Sequence, residues 1–218
     1  MFPEASYVPW SEDEMTAHAS VIRDFLTFLN RRTHAFILKG GTALAWGYGL
    51  DRFTDDIELD AELQEPQSII SMVREFCALR RYECTVTKDL RSDKQCEIRY
   101  CADCRHPLKV EASYKDPDID PDDVCIVEGV ALYDIQTLVL PLVMRRDRLR
   151  DLYDLCFIGI SHRDKLERRR RIIGDCLFYR GSDYLGYLEK LDPDPLVDTG
   201  RLRRRFLELR SYLGLLPE

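Results

Sequence analysis

The stretch "LKGGTALAWGYGLDRFTDDIELDA", residues 38–61, constrains this 218-residue chain more than any other part of it. A short apolar run, "HAFILK", ends in two adjacent glycines. "TALAW" then continues at helical spacing for about two turns, until Gly49 can stop it. "DIELDA" alternates acids with apolar residues, the period of a strand, so Ile57 and Leu59 face one way and Asp56, Glu58 and Asp60 the other. The order is therefore strand, Gly-Gly, helix, strand. Asp56 and Glu58 stand about 7 Å apart at their Cα atoms in such a strand. Like charges held so close must be protonated, be well solvated or share a cation.

Hard divalent cations such as Mg²⁺ take oxygen ligands, commonly carboxylates together with substrate phosphates. Gly40 and Gly41, lacking side chains at a helix N-terminus, leave backbone N–H groups open to phosphate oxygens. A phosphate seat beside a carboxylate pair is the minimum equipment for metal-assisted nucleotidyl transfer.

The rest of the sequence predicts an α+β chain. Ser11 and Glu14 have capping-box spacing ahead of Val21, Ile22, Phe25, Leu26 and Leu29, which recur at helical period. A second helix carries Ile69, Ile70, Val73, Phe76 and Leu79 as its stripe. "YECTVTKD", "KQCEIRYC" and "LKVEASYK" follow as strands, residues 116–123 as a loop, and "CIVEGVALYD" as one further strand. From Ile135 the pattern is helical, with breaks near Pro193–Pro195 and at Gly200. The expected organisation is a core over residues 1–138 with a mixed sheet, then a helical domain over residues 139–218.

A content of 45% hydrophobic and 33% charged residues fits a globular chain rather than a disordered one. No apolar run approaches the roughly 20 residues of a membrane span, and the N-terminus lacks a signal-peptide pattern, so a cytoplasmic protein without membrane partners is expected. The net charge of −7 is uneven: residues 139–218 hold 17 Lys/Arg against 13 Asp/Glu. A basic C-terminal part could grip a polyanion or be an ordinary solvated surface. Cys96, Cys101, Cys104 and His106 could hold zinc, or could be thiols at a hairpin tip.

The segment "LKGGTAL…YGLDRFTDDIEL" resembles the AbiEii/AbiGii-type nucleotidyltransferase toxins of prokaryotes, within the polymerase-beta-like nucleotidyltransferase superfamily. Lys39, Gly40, Gly41, Thr42, Arg52, Thr54 and Asp56 match that family's pattern in order, and Glu58 stands where it mostly has Asp. "LKVEASY" is similar to its later Lys-x-Asp strand, with Lys109 in place and Glu111 for the Asp. "RRDRLRDLYDL" is similar to its helix motif through Arg146, Arg150, Asp151 and Asp154. A lysine common earlier on that helix has no counterpart in "TLVLPLVM".

The resemblance implies a nucleotidyltransferase-type mixed sheet with flanking helices. It implies Mg²⁺, as two ions, on Asp56, Glu58 and Glu111, and an NTP as substrate. Asp56, Glu58, Glu111, Arg146 and Asp151 would form the catalytic set. Lys39, Gly40, Gly41, Thr42, Arg52, Lys109 and Asp154 would contact the nucleotide. By the same pattern Glu111, rather than Asp60, is the third acid. The expected acceptor is a tRNA 3′ end, gripped by basic C-terminal helices carrying "ERRRRII" and "RLRRRF". The expected partner is a cognate antitoxin protein. Transfer to a protein or small molecule remains an alternative, as does a catalytically reduced binding module on the same fold.

Overall fold

Seven strands form one mixed sheet among the described residues: β1 (Ile37–Lys39), β2 (Asp56–Glu62), β3 (Glu83–Asp89), β4 (Asp93–Arg99), β5 (Leu108–Lys115), β6 (Val124–Val127) and β7 (Val130–Tyr133). The structure, a computed structural model, describes residues 9–63, 65, 67–115, 119–144, 148–178 and 184–215. The sheet order is β3-β4-β5-β2-β1-β7-β6. β2 lies near its middle, parallel to β5 and antiparallel to β1. Its alternation is as expected: Ile57 and Leu59 are buried, while Asp56 and Glu58 are partly exposed.

Two helices follow from their spacing. α1 (Glu12–Asn30) begins with the full capping box, in which the Ser11 hydroxyl accepts from the Glu14 N–H at 3.2 Å and the Glu14 carboxylate accepts from the Ser11 N–H at 2.9 Å. Those bonds, backbone first, hold the Glu14 carboxyl down at about 2. α3 (Ile69–Arg80) buries Ile69, Ile70, Val73 and Phe76, but Leu79 is 63% exposed. At about 100° per residue Leu79 swings off the stripe, and Cys77 completes it instead. The two helices share a core with the apolar strand face through Phe25, Phe76, Leu59 and Val110.

The stretch expected as one strand after residue 124 is a hairpin. Glu128 and Gly129 join β6 to β7 with φ of 49° and 81°. Two consecutive positive φ values match the right-handed strand twist in a two-residue turn, and Glu at the first is the uncommon choice that hides the signal.

The chain divides into two compact units, Met1–Thr42 with Phe53–Leu132 and Ala43–Arg52 with Tyr133–Glu218. The second is helical: most of α2 (Gly40–Tyr48), then α4 (Ile135–Met144), α5 (Leu149–Ser161), α6 (Arg170–Phe178), α7 (Tyr184–Glu189) and α8 (Thr199–Tyr212). α5 packs on α4 and α8, burying Leu152, Leu155, Ile158, Leu202, Phe206 and Leu209. Gly200 does not interrupt the last helix. It lies in the first turn of α8, after Asp198, whose carboxylate accepts from the Arg201 N–H at 2.9 Å as the N-cap. No helix among the described residues is long and apolar enough to cross a membrane.

Candidate functional site: an acidic strand face against a Gly-Gly turn

The polar face of the central strands gathers the acids into registered rows. Glu58 on β2 is the direct partner of Glu111 on β5 and of Lys39 on β1. One pair along, Asp56 sits opposite Lys109. Direct partners in a sheet have Cβ atoms about 5 Å apart, so like charges placed there repel unless something positive intervenes. Here that is Lys109, whose Nζ lies 2.7 Å from Glu111 Oε2. Burial alone would lower the Lys109 ammonium from its ordinary value. The bond and charge of Glu111, followed by the charges of Asp56 and Glu58, overcome that and raise it.

Gly40 ties the two motifs together. Its φ is +69°, a region open to glycine at little cost, and a Cβ there would lie 2.6 Å from Glu58 Oε2. The Glu58 carboxylate therefore rests against the Gly40 backbone, at the start of α2. The Thr42 hydroxyl donates to the Asp56 carbonyl at 2.5 Å, fastening the first turn of α2 to the first residue of β2. The first N–H groups of any helix lack intrahelical acceptors, so the turn from Gly40 through Thr42 and the acidic strands meet at one place.

Lys39 reaches away from Glu58. Its ammonium lies 2.6 Å from Asp60 Oδ1 and 3.4 Å from Ser113 Oγ. That pairing accounts for the burial of Asp60, 6% exposed.

A buried histidine, unremarked in the sequence, holds the approach to β2. His18 on α1 is fully enclosed, with Nε2 3.0 Å from the Asp55 carbonyl and Nδ1 2.9 Å from the Tyr100 hydroxyl. Burial holds it below its ordinary pKa, against the raising effect of Asp55. Trp10 packs edge-on against His18 and Phe53, and stacks on His106 at 4.0 Å. Only its place on the apolar stripe of α1 could have hinted at His18.

Of the possible zinc ligands, Cys96 stands apart from Cys101 and Cys104, which neighbour each other. Cys96 is buried in the core face near Cys84 and Cys77, and burial pushes both Cys96 and Cys77 to about 12. Cys101 is exposed in the turn beyond β4, and every cysteine among the described residues is a free thiol. No group of three His, Cys, Asp or Glu side chains among the described residues converges as they stand to hold a metal ion. The oxygen donors available on the polar face for a hard cation are Asp56, Glu58 and Glu111.

The expected residues of the helical unit are engaged within it. Arg52 Nε and Nη2 donate to the two carboxylate oxygens of Asp154 at 2.7 and 2.6 Å, both side chains almost wholly buried. Burial pushes the Asp154 carboxyl up, and the paired guanidinium opposes it. Asp151 is buried on the same helix. Asp51 accepts from Tyr153 Oη at 2.8 Å, Arg201 at 2.7 Å and Arg205 at 2.8 and 2.9 Å. Arg205 first, then Tyr153, and then Arg201 hold its carboxyl well below the usual range. Arg146 lies outside the described residues.

A search of curated protein sequences finds no match. Among solved structures the chain is similar to JHP933 from Helicobacter pylori, at 23% identity and a TM-score of 0.67, over 94% of this chain and 95% of that one. It is also similar to MenT4, a nucleotidyltransferase toxin from Mycobacterium tuberculosis H37Rv, at 18% identity and a TM-score of 0.53, over 96% and 91% of the two chains. These likenesses establish the fold. The family model described as "Nucleotidyl transferase AbiEii toxin, Type IV TA system" matches residues 27–198, a span from the C-terminal third of α1 to the residue that caps α8. The chain thus belongs to the AbiEii family of nucleotidyltransferase toxins.

Proposed function

We propose that this toxin transfers a nucleoside monophosphate from an NTP to an RNA 3′ hydroxyl, that of a tRNA, in a Mg²⁺-dependent reaction centred on the polar face of the sheet. The observation that carries this reading is the seating of the Glu58 carboxylate on Gly40. It joins a turn suited to phosphate with a strand suited to a cation. The donor set fits Mg²⁺: Asp56, Glu58 and Glu111 supply hard oxygens from two paired strands, and the Lys109 ammonium already stands among them as a cation.

Asp56, Glu58 and Glu111 would hold the metal, as two ions. When bound, it supplies neutralisation of the triphosphate and of charge developing at the α-phosphate. N–H groups of Gly40, Gly41 and Thr42 receive the distal phosphates. The acceptor oxygen forms its bond to the α-phosphorus, the α–β bond breaks, pyrophosphate leaves, and the hydroxyl proton passes to water. Lys109 offers positive charge beside the phosphates, while Lys39 is engaged by Asp60. Thr42 and His18 hold the start of β2 in place through the backbone carbonyls of Asp56 and Asp55. Arg146 is carried over from the family resemblance alone as a phosphate-contacting candidate. Arg52 and Asp154 position the chain between α2 and β2 within that unit.

The tRNA acceptor rests on the family resemblance and the basic excess after residue 139. Arg203 and Arg204 on α8 are exposed. Arg201 and Arg205 are committed to Asp51 and Arg210 is buried, so fewer arginines are open to an RNA than "RLRRRF" implies. A cognate antitoxin is the proposed protein partner. The test is incubation of the protein with Mg²⁺, each α-labelled NTP and separated tRNA, protein and small-molecule fractions. Label in the tRNA band is expected; label confined to protein or small molecules would overturn the acceptor.

A further inference from the structure

Lys109 occupies an unusual position for a nucleotide-contacting residue. It projects from β5 directly opposite Asp56, two residues before Glu111 on the same face, and its ammonium lies 2.7 Å from a Glu111 oxygen. Glu58 is the cross-strand partner of Glu111, and Asp56 is the cross-strand partner of Lys109. So the acids around it are the same three assigned to the cation. The ammonium lowers the repulsion between Glu111 and its cross-strand partner Glu58. Lys109 is 41% and Glu111 30% exposed, so an ion from solvent can reach both side chains.

We propose that Lys109 is the resident counter-ion of this face, and that a divalent cation binds by displacing its ammonium from Glu111, freeing it to meet an incoming phosphate. The inference rests on the reading of Asp56, Glu58 and Glu111 as cation ligands. The exchange is one of charge partners, with no bond made or broken. Before metal arrives, the ammonium keeps Glu58 and Glu111 in register at tolerable cost. As metal arrives, the same charge opposes it, which weakens affinity without nucleotide. An NTP then relieves that opposition, because its phosphates accept the released ammonium. Metal and nucleotide thereby favour each other, each binding more tightly where the other is present.

The test is Mn²⁺ binding to the full chain, read from the free-ion electron paramagnetic resonance signal without nucleotide, for the wild type, Lys109→Met, Lys109→Arg and Glu58→Gln. Lys109→Met should bind Mn²⁺ roughly tenfold more tightly, the scale for removing a positive charge a few ångströms from a divalent ion in a solvated site. Lys109→Arg, which keeps the charge, should stay within about twofold of the wild type. Glu58→Gln should weaken binding. If Glu58→Gln weakens it while Lys109→Met leaves it unchanged or weaker, the counter-ion role is overturned and the ligand assignment stands. If the wild type takes up no Mn²⁺, or Glu58→Gln changes nothing, the ligand assignment itself falls and the counter-ion role with it. A melting series covers poor folding of Lys109→Met: its midpoint should lie below wild type without metal and rise further with Mn²⁺. An equal rise in both proteins would overturn the exchange.

Discussion

In the sheet unit, Asp56, Glu58 and Glu111 stand around the Lys109 ammonium on a half-exposed face, whereas in the helical unit Asp154 and Asp51 are each clamped by arginine forks. Both arrangements consist of acids and bases at hydrogen-bonding distance. They differ in balance. Arg52 meets both oxygens of Asp154 with matched charge in a dry interior, so nothing further is needed there. On the sheet face Glu58 stands directly across from Glu111, two like charges, and the Lys109–Glu111 pair is open to water. Like charges paired across strands and open to solvent are where the proposed ion would bind, while a matched buried pair is a fastening.

The contrast can be broken by removing one charged partner from each arrangement. Asp56→Asn should lower nucleotidyl transfer by at least about a thousandfold, as loss of a central electrostatic group does, with an unchanged melting curve. A fall in activity matched by loss of folded protein would place Asp56 among the fastenings instead. Arg52→Ala should do the reverse, costing about 3–5 kcal/mol of stability in urea titration because Asp154 is left buried and uncompensated. Replacing Arg52 and Asp154 together with Met and Leu should recover most of that loss.

Gly40→Ala sharpens the comparison from the sheet side. The new Cβ meets Glu58 Oε2 and the backbone is in a left-handed conformation, so about 1–2 kcal/mol of stability should go. Transfer should fall further, by roughly a hundredfold, since Glu58 must move. The smallest effect concerns pH. Asp51 has a folded value below its unfolded one of about 3.9, so it contributes stability above that pH and loses it as pH falls toward the folded value. Acid unfolding between pH 4 and 2 should therefore be shallower in Asp51→Asn than in the wild type, with the neutral-pH stability of the variant lower.

The strand–Gly-Gly–helix–strand order was legible because the 3.6 period of α2 and the period of 2 in β2 stand clear on either side of the connection 49–55. α1 was legible through Ser11 and Glu14. The hairpin at Glu128–Gly129 was not, since Glu is a poor residue for positive φ and the two short strands run together as one apolar stretch. Leu79 misled because an apolar residue at the margin of a stripe satisfies a count while its angle points to solvent. Residues 43–52 group with the helical unit, a membership that follows from packing rather than from order along the chain.

Within the site, the residue types came from pattern, but their partners did not. Strand alternation put Lys109 and Glu111 on one face; that Lys109 would stand opposite Asp56 depended on the parallel register of β2 and β5, which no local spacing encodes. Lys39 belongs to the glycine motif in sequence yet pairs with Asp60, the acid that family pattern had set aside. Glu58 in place of Asp acquires a physical meaning: its extra methylene brings the carboxylate onto the Gly40 backbone.

The central claim is nucleotidyl transfer at the acidic face, and the position of the label decides it. Parallel reactions with α-labelled and γ-labelled NTP, Mg²⁺ and tRNA should give acceptor label from the α position alone. The γ label should appear in pyrophosphate in equal amount, and both signals should vanish in Asp56→Asn. Acceptor labelled from the γ position, or transfer that persists in Asp56→Asn, would contradict the account.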